Sequence, residues 1–400
     1  MRILQLSSDW KWTGPAEPMV VLTRALRARG HGVELVCPPP PPEANRSLWE
    51  EARARGVEPV AALERGRSAL RPGDGAVVTR LRRWLHDDAD GAPFDVVHCW
   101  HGRDHVLAAR ALRRLRGRPP RRGLQRAGSP AIVRSLASAE PVAAWPWNRW
   151  LLGPACDGLI CVSRSAREAQ RPLRGGRPIA AVPGAVEAER LRSGRDPQGD
   201  RSERTAMRTR LGIAAGAPVI GVVARIQRHR RFDLLLEAMQ RLIRARPDAR
   251  LVLIGRGTHA ETVAAEPARR MGLSAHVVFA GYRVADYAAL LRCLDVFCFL
   301  VPGSDGSCRA LLEAATVGLP LVGTRRGAIA EIIRDGETGE LVDEDPEHLA
   351  RAWLRLIEDP ARRRALGEAA ARDARRRFTP EGLAASVEAL YAEAMRTQRR

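Results

Sequence analysis

Asp305 and Glu313 are the two acids best placed to do chemistry in this chain. They lie eight positions apart in the stretch VPGSDGSCRALLEAATVGLPLVG, residues 301–323. A turn run (Pro302, Gly303, Ser304, Asp305, Gly306) separates two apolar segments and opens onto a short helix. That helix is expected to start near Ser307, a natural N-cap, and to stop at Gly318. It is apolar through Ala310, Leu311, Leu312, Ala314, Ala315 and Val317, apart from Arg309 and Glu313. Burying an unpaired carboxylate there would cost several kcal/mol. Glu313 therefore either faces a cavity and meets donors such as sugar hydroxyls, or pairs with a core arginine. The helix N-terminus, with the amides of Gly306, Ser307 and Cys308, suits a phosphate. An acid at the mouth and a second about 9 Å along the helix form a cradle for a phosphorylated, hydroxyl-rich ligand.

These residues also carry a family resemblance. Asp305-x7-Glu313, then Gly318-Leu319-Pro320, Gly327, Glu331 and Asp335-Gly336-Glu337-Thr338-Gly339, resemble the signature of the retaining nucleotide-sugar glycosyltransferases of family 4. The resemblance is specific over 213–342 and continues more weakly to residue 1. It implies the GT-B fold and a nucleoside-diphosphate sugar as co-substrate, with Asp305 orienting the sugar and Glu313 bonding the nucleotide ribose. The chain departs from the pattern in places. The first acid is Asp rather than Glu, and the usual Gly-Phe-Gly after it is Gly306-Ser307-Cys308.

Arg225 ends a strand over 219–224, and the loop after it reads IQRHRRFD. Arg225 and Arg230 occupy the places of the family's Arg and Lys, which hold the donor diphosphate. Two cations at the carboxyl end of a strand would stabilise a departing diphosphate; the other reading is a solvated basic loop. Arg231 stands where the family has glycine. Near the N-terminus, Gly14-Pro15-Ala16-Glu17 matches Gly-Gly-x-Glu, so only Gly14 carries over, either for close approach to the donor phosphate or as a plain turn. The family's catalytic His is replaced at Ser135-Leu136-Ala137. His98, His101 and His105 cluster in and just after a strand over 94–100; His101 is the candidate for the acceptor side, against a structural or surface role.

Other motifs are weaker. Gly255-x-Gly257-x-x-Ala260 resembles a dinucleotide fingerprint but lacks the acid that would hold a ribose. Gly281-Tyr282-Arg283 stands where the family places the nucleobase. Asp88-Ala89-Asp90 and Asp343-Glu344-Asp345 spell a D-x-D metal motif, yet both lie in polar stretches and read as solvated surface, so no essential metal and no cofactor are expected. A dense arginine run, 110–126, precedes Trp145, Trp147 and Trp150. That combination suits an anionic membrane interface or a lipid-linked, phosphorylated acceptor, or else solvated charge beside packed tryptophans.

Four hundred residues imply two domains. The net charge of +20 comes from 66 Lys and Arg against 46 Asp and Glu, nearly all the cations being arginine. Aromatics are only 4% and no nucleic-acid motif is present, so nucleic acid is not the expected partner. Seven scattered cysteines without a CxxC pair suggest reduced thiols and a cytoplasmic protein. No run reaches the ~18–20 apolar residues of a membrane span, which leaves peripheral contact with an anionic membrane.

Strands and helices alternate almost throughout, implying α/β architecture with covered parallel sheets. An N-terminal Rossmann-like acceptor-side domain is expected over 1–186. A polar, aperiodic linker follows over 187–212, then a donor-binding Rossmann-like domain over 213–378. By the resemblance, a final helix, 379–400, crosses back to the first domain. The two sheets are expected to face each other across a cleft. The chain thus reads as a metal-independent hexosyltransferase that moves sugar to a hydroxyl acceptor in surface glycan or glycolipid synthesis. The rivals are an epimerase-like enzyme of the same fold and a non-catalytic basic protein binding nucleic acid or anionic lipid.

Overall fold

Short apolar runs such as Val219–Val223 and Val296–Phe299 have no polar face to give to water. They can only form strands covered on both sides, as parallel sheets require. A computed structural model describes residues 1–399 except 13, 45, 62–73, 88–92, 117–128, 139, 193–196 and 304–305. The first elements are β1 (Arg2–Leu6), α1 (Ala16–Ala28), β2 (Gly32–Val36), α2 (Leu48–Arg53), β3 (Pro59–Val60), α3 (Asp74–Asp87), β4 (Val96–Cys99) and α4 (Gly102–Arg116). Then come β5 (Ala131–Leu136), α5 (Pro146–Leu152), β6 (Gly158–Cys161), α6 (Arg164–Gln170) and β7 (Ile179–Ala181). The series continues with α7 (Pro197–Arg210), β8 (Val219–Val223), α8 (Phe232–Ala245), β9 (Arg250–Ile254), α9 (Glu266–Arg270), β10 (Val277–Gly281) and α10 (Tyr287–Arg292). It closes with β11 (Val296–Phe299), α11 (Arg309–Thr316), β12 (Leu321–Thr324), α12 (Ile329–Ile332), β13 (Gly339–Val342), α13 (Pro346–Glu358), α14 (Pro360–Arg377) and α15 (Pro380–Arg399).

The chain divides into two compact units, Met1–Pro183 with Pro380–Arg400, and Gly184–Thr379. The first holds a seven-stranded sheet in the order β3-β2-β1-β4-β5-β6-β7, the second a six-stranded sheet ordered β10-β9-β8-β11-β12-β13. Neighbouring strands in both are parallel. Each sheet winds from the middle to one edge, returns, and winds to the other edge. The reversal falls between β1 and β4 in the first unit and between β8 and β11 in the second. At such a switch point the loops leaving the two strands diverge and open a crevice at the strands' carboxyl ends.

In the second unit α8 turns Phe232, Leu235, Met239 and Leu242 inward onto Leu349, Trp353 and Leu356 of α13. Each such side chain contributes about 1.5–3 kcal/mol on burial. In the first unit α15 lays Ala384, Val387, Leu390 and Tyr391 against Ile3, Leu22, Leu26 and Val133.

One expectation changes. The 187–212 segment contains a 14-residue helix, α7. Its sequence hides the helix because arginines do much of its packing. Arg208 is 4% exposed and bonds the carbonyls of Cys293, Ala215 and Ala217. Arg204 bonds those of Arg292 and Leu294. Among the described residues no helix is long and apolar enough to cross a membrane.

Candidate functional site

The loops that leave β8 and β11 carry most of the residues singled out by sequence. Arg225, just past β8, is exposed and makes no hydrogen bond or ion pair with the described residues. A guanidinium held in water at a strand's carboxyl end is ready for an anion. Arg230 turns instead toward the β11 loop. Its Nη1 donates to the Val301 carbonyl and its guanidinium lies 5.7 Å from the Phe299 ring centre. Gly303 makes room for it: a Cβ there would sit 2.5 Å from Arg230 Nη2. Arg230 thus joins the two loops of the switch point.

The two departures from the family's glycine pattern explain themselves in the backbone. Arg231 (φ 57°) and Cys308 (φ 53°) are the non-glycine residues with positive φ among those described. Both take the left-handed conformation that glycine adopts without penalty. Each stands at the N-cap of the helix that follows its loop, α8 and α11 respectively. The loop shape is therefore kept while a side chain is added. Arg231 uses its side chain to tie the loop down, donating from Nη1 to Glu344 Oε2 at 2.6 Å and pairing with Asp233 at 3.2 Å. Glu344 also pairs with Arg326. The segment Asp343-Glu344-Asp345 is thus more than solvated surface: Glu344 braces the site loop, and Asp345 caps α13 through the N–H groups of Glu347 and His348.

The helix with the acid starts later than expected. Ser307 does not cap it; α11 begins at Arg309, and Cys308 is the cap residue, its carbonyl accepting from Leu311 N at 2.8 Å. The left-handed turn at Cys308 moves Ser307 out of the cap position. Gly306, Ser307 and Cys308 are all buried against the helix start, whose first N–H groups have no partner within the helix. Glu313 is 8% exposed. Tyr287 Oη donates to its Oε2 at 2.6 Å, and Arg309 Nε lies 3.2 Å from Oε1. The arginine partner is therefore real, but it sits one turn back on the same helix rather than in the core. Tyr287 and Arg309 thus hold one carboxylate oxygen each. Asp305 lies outside the described residues.

Gly255 and Gly257 have a structural purpose. A Cβ at Gly257 would fall 1.8 Å from the Ile226 carbonyl oxygen, and one at Gly255 2.1 Å from that of Ala224. The pair lets the β9 loop press backbone to backbone against the loop carrying Arg225, with Ile226 N bonded to Arg256 O at 3.2 Å. Beside it Tyr282 is 49% exposed, with the Arg256 guanidinium 4.7 Å from its ring centre. Arg283 is held by Asp286, which raises the guanidinium's pKa and lowers the carboxyl's.

In the first unit Gly14 follows β1 and His101 follows β4, so both lie in loops of that sheet's switch point. The buried Asp104 joins the two loops, accepting from Ser8 N and from His101 N, each at 2.8 Å. Burial raises its carboxyl pKa, opposed by His101 and by those amides. His98 and His105 are structural. His98 is enclosed between Tyr391 Oη (2.7 Å) and Ser135 Oγ (2.8 Å), and His105 Nε2 meets the Ala155 carbonyl at 3.0 Å. Burial, with a smaller contribution from Arg134, pulls each imidazole pKa down to about 3.

Sequence reasoning missed Tyr287 and Asp104 and read Glu344 as surface, although it pairs with Arg231 and Arg326. Tyr287 left one trace, a hydroxyl at the head of an otherwise apolar helical turn. The motif Asp88-Ala89-Asp90, and the arginine run beyond residue 116, lie outside the described residues. Trp145 and Trp147 are 70% and 45% exposed, whereas Trp150 packs against the β4–β5 core.

Comparison with known proteins agrees with this architecture. A sequence model described as Glycosyltransferase Family 4 matches residues 18–190, and one described as Glycosyl transferases group 1 matches 217–359. A GDP-mannose-dependent alpha-(1-6)-phosphatidylinositol monomannoside mannosyltransferase of Mycolicibacterium smegmatis is 32% identical, over 61% of this chain and 65% of its own length. The chain thus spans just under two thirds of that relative. A phosphatidyl-myo-inositol mannosyltransferase of Mycobacterium leprae is 28% identical over 94% of this chain and 92% of its own. Anabaena HepE, solved in complex with UDP and glucose, superposes with a TM-score of 0.75 over 98% of this chain and 99% of its own, at 18% identity. The family models match within both units, and the two parallel sheets agree with the solved structures: the chain belongs to glycosyltransferase family 4 and has the GT-B fold.

Proposed function

We propose that this protein is a retaining glycosyltransferase that moves a hexose-type sugar from a nucleoside diphosphate to a hydroxyl of a lipid-linked acceptor. One observation carries the reading. The loop holding Arg225 and Arg230 meets, at one switch point, the loop and helix that present Glu313.

Arg225 and Arg230 hold the diphosphate, with the N–H groups that open α11. They stabilise the charge that grows as the bond from the anomeric carbon to the diphosphate oxygen breaks. The acceptor oxygen forms the new bond to that carbon, and its proton passes to the departing phosphate oxygen. This sequence of events does not call on a histidine base, and the arginines supply the positive charge, so the reaction is metal-independent. Glu313 takes the ribose hydroxyls, and Asp305 orients the sugar. Gly14 is assigned to the donor phosphate and His101 to the acceptor. Tyr282 offers a half-exposed ring for the nucleobase.

The names of the relatives support GDP-mannose as the first donor to test and a phosphatidylinositol-type lipid as the first acceptor. Trp145 and Trp147, exposed on a strongly basic protein, suit contact with an anionic bilayer. Such a membrane would be met from its cytoplasmic face, in glycolipid synthesis. The test is transfer from labelled GDP-mannose, with UDP-glucose as the second donor, to phosphatidylinositol vesicles, followed by NMR of the product anomer. The expected result is a glycolipid with the donor's anomeric configuration. Inversion, or nucleotide-sugar isomerisation without transfer, would overturn the reading.

A further inference from the structure

The second unit has a polar cavity of about 280 Å3 lined by Arg204, Arg208, Arg246, Arg363 and Asp295. It lies at the opposite end of the sheet from the residues described above. Asp295 immediately precedes β11 and accepts from Val219 N, the first residue of β8, at 2.8 Å. Arg225 and Val301 lie past the other ends of these strands, six residues on, about 20 Å away at ~3.3 Å per residue.

The charges in this cavity do not balance. Three guanidiniums gather on the single carboxylate of Asp295. Arg204 Nη2 lies 2.6 Å from Oδ1, Arg208 Nη2 2.8 Å from Oδ2, and Arg363 Nη2 3.9 Å from Oδ1. The last distance is too long for a hydrogen bond. The other contacts of these three arginines are to backbone carbonyls, which solvate a cation without neutralising it. Arg246, the fourth cation, is matched by Asp248, to which it gives Nε and Nη2. Its side chain makes no other hydrogen bond among the described residues, and Glu358 adds to the pull of Asp248 on its charge. Burial lowers the pKa of Arg204, and the neighbouring Arg208 adds to the effect against the pull of Asp295.

We infer that this cavity binds a small anion bearing one or two phosphoryl groups, with Arg246 and Arg363 as its outer grips and Arg204 behind them. Geometry favours a phosphoryl group, because the planar fork of a guanidinium matches two of its oxygens at once. The site is separate from that for the sugar donor, but α8 links the two. This helix begins beside Arg230 and ends at Arg246, spanning about 21 Å.

The test is thermal unfolding of the full chain against inorganic phosphate, pyrophosphate and glycerol 3-phosphate, with sodium chloride at matched ionic strength as control. The same series is run on Arg225→Ala and on the double variant Arg246→Ala/Arg363→Ala. A saturable rise in Tm is expected in the wild type and in Arg225→Ala. The double variant should bind at least about tenfold more weakly, as the loss of charge-assisted contacts implies. If the double variant does not fold, Arg363→Gln alone serves, with a loss of about fivefold expected. The inference is overturned if chloride gives the same rise, if the double variant retains it, or if Arg225→Ala abolishes it. The last result would put the anion in the donor site, and a failed donor reading would show separately as absent nucleotide binding.

Discussion

The Tyr287 hydroxyl donates a 2.6 Å hydrogen bond to Glu313 Oε2, fixing the acid from a neighbouring helix while Arg309 holds its other oxygen. A charge-assisted bond of this kind contributes about 1.5–3 kcal/mol, and Arg309 would retain part of the positioning. Tyr287→Phe is therefore expected to weaken nucleotide binding about 5- to 20-fold and to lower urea stability by about 1–2 kcal/mol. Glu313→Ala, which removes the acceptor itself, should cut kcat/KM by about 10²-fold or more. Calorimetric binding and steady-state kinetics on the two variants check both figures. Equal effects from the two would mean that the tyrosine does more than position the acid.

Arg231 and Cys308 make a second prediction, about backbone rather than contacts. A non-glycine residue held in the left-handed region costs of order 1–3 kcal/mol. Arg231→Gly removes that strain but loses the ion pair with Glu344 and adds chain entropy. Stability should thus stay within about 1 kcal/mol of wild type, with nucleotide binding kept. Valine, β-branched, tolerates the conformation worst. Arg231→Val and Cys308→Val should each lose roughly 2–3 kcal/mol in urea unfolding and weaken nucleotide binding as the loops shift.

Much of the fold was legible because it rests on period and run length. The apolar strands Val219–Val223 and Val296–Phe299 admit one reading, and their order sets the switch point where Arg230 meets the Val301 carbonyl. Helix α7 was illegible because Arg204 and Arg208, which read as surface, are what pack it. Gly255 and Gly257 resemble a fingerprint for a general reason: a bare backbone is needed for close approach, whether the neighbour is a phosphate or, as here, the Ile226 carbonyl. The start of α11 was misplaced because a serine in sequence suggests a cap, whereas the left-handed turn at Cys308 decides where the helix begins. Tyr287 and Glu313 come from different helices, and no spacing rule in one dimension brings them together.

Acid should destabilise the first unit in a defined window. His98 and His105 each have a pKa near 3 in the folded protein, against an ordinary value of 6.5. The folded state therefore stays neutral at these sites while the unfolded chain takes up protons below pH 6.5. Their contribution is fully present above that pH and is lost as pH falls toward 3. The loss approaches about 1.4 kcal/mol per pH unit for each histidine. Urea titrations between pH 6.5 and 5, above most carboxylate titration, should show a slope approaching two protons. In His98→Gln the slope should fall by about one; an unchanged slope would mean that His98 is protonated in the fold.

The central claim is that a nucleoside diphosphate is held where the Arg225–Arg230 loop meets the start of α11, with Glu313 on its ribose. A thermal-shift panel of GDP, UDP, ADP and dTDP on wild type, Arg225→Ala and Glu313→Ala tests it most directly. The account predicts that one nucleotide raises the wild-type Tm in a saturable way and that both substitutions largely abolish the rise. No stabilisation by any of the four, or a rise that survives in both variants, would contradict it.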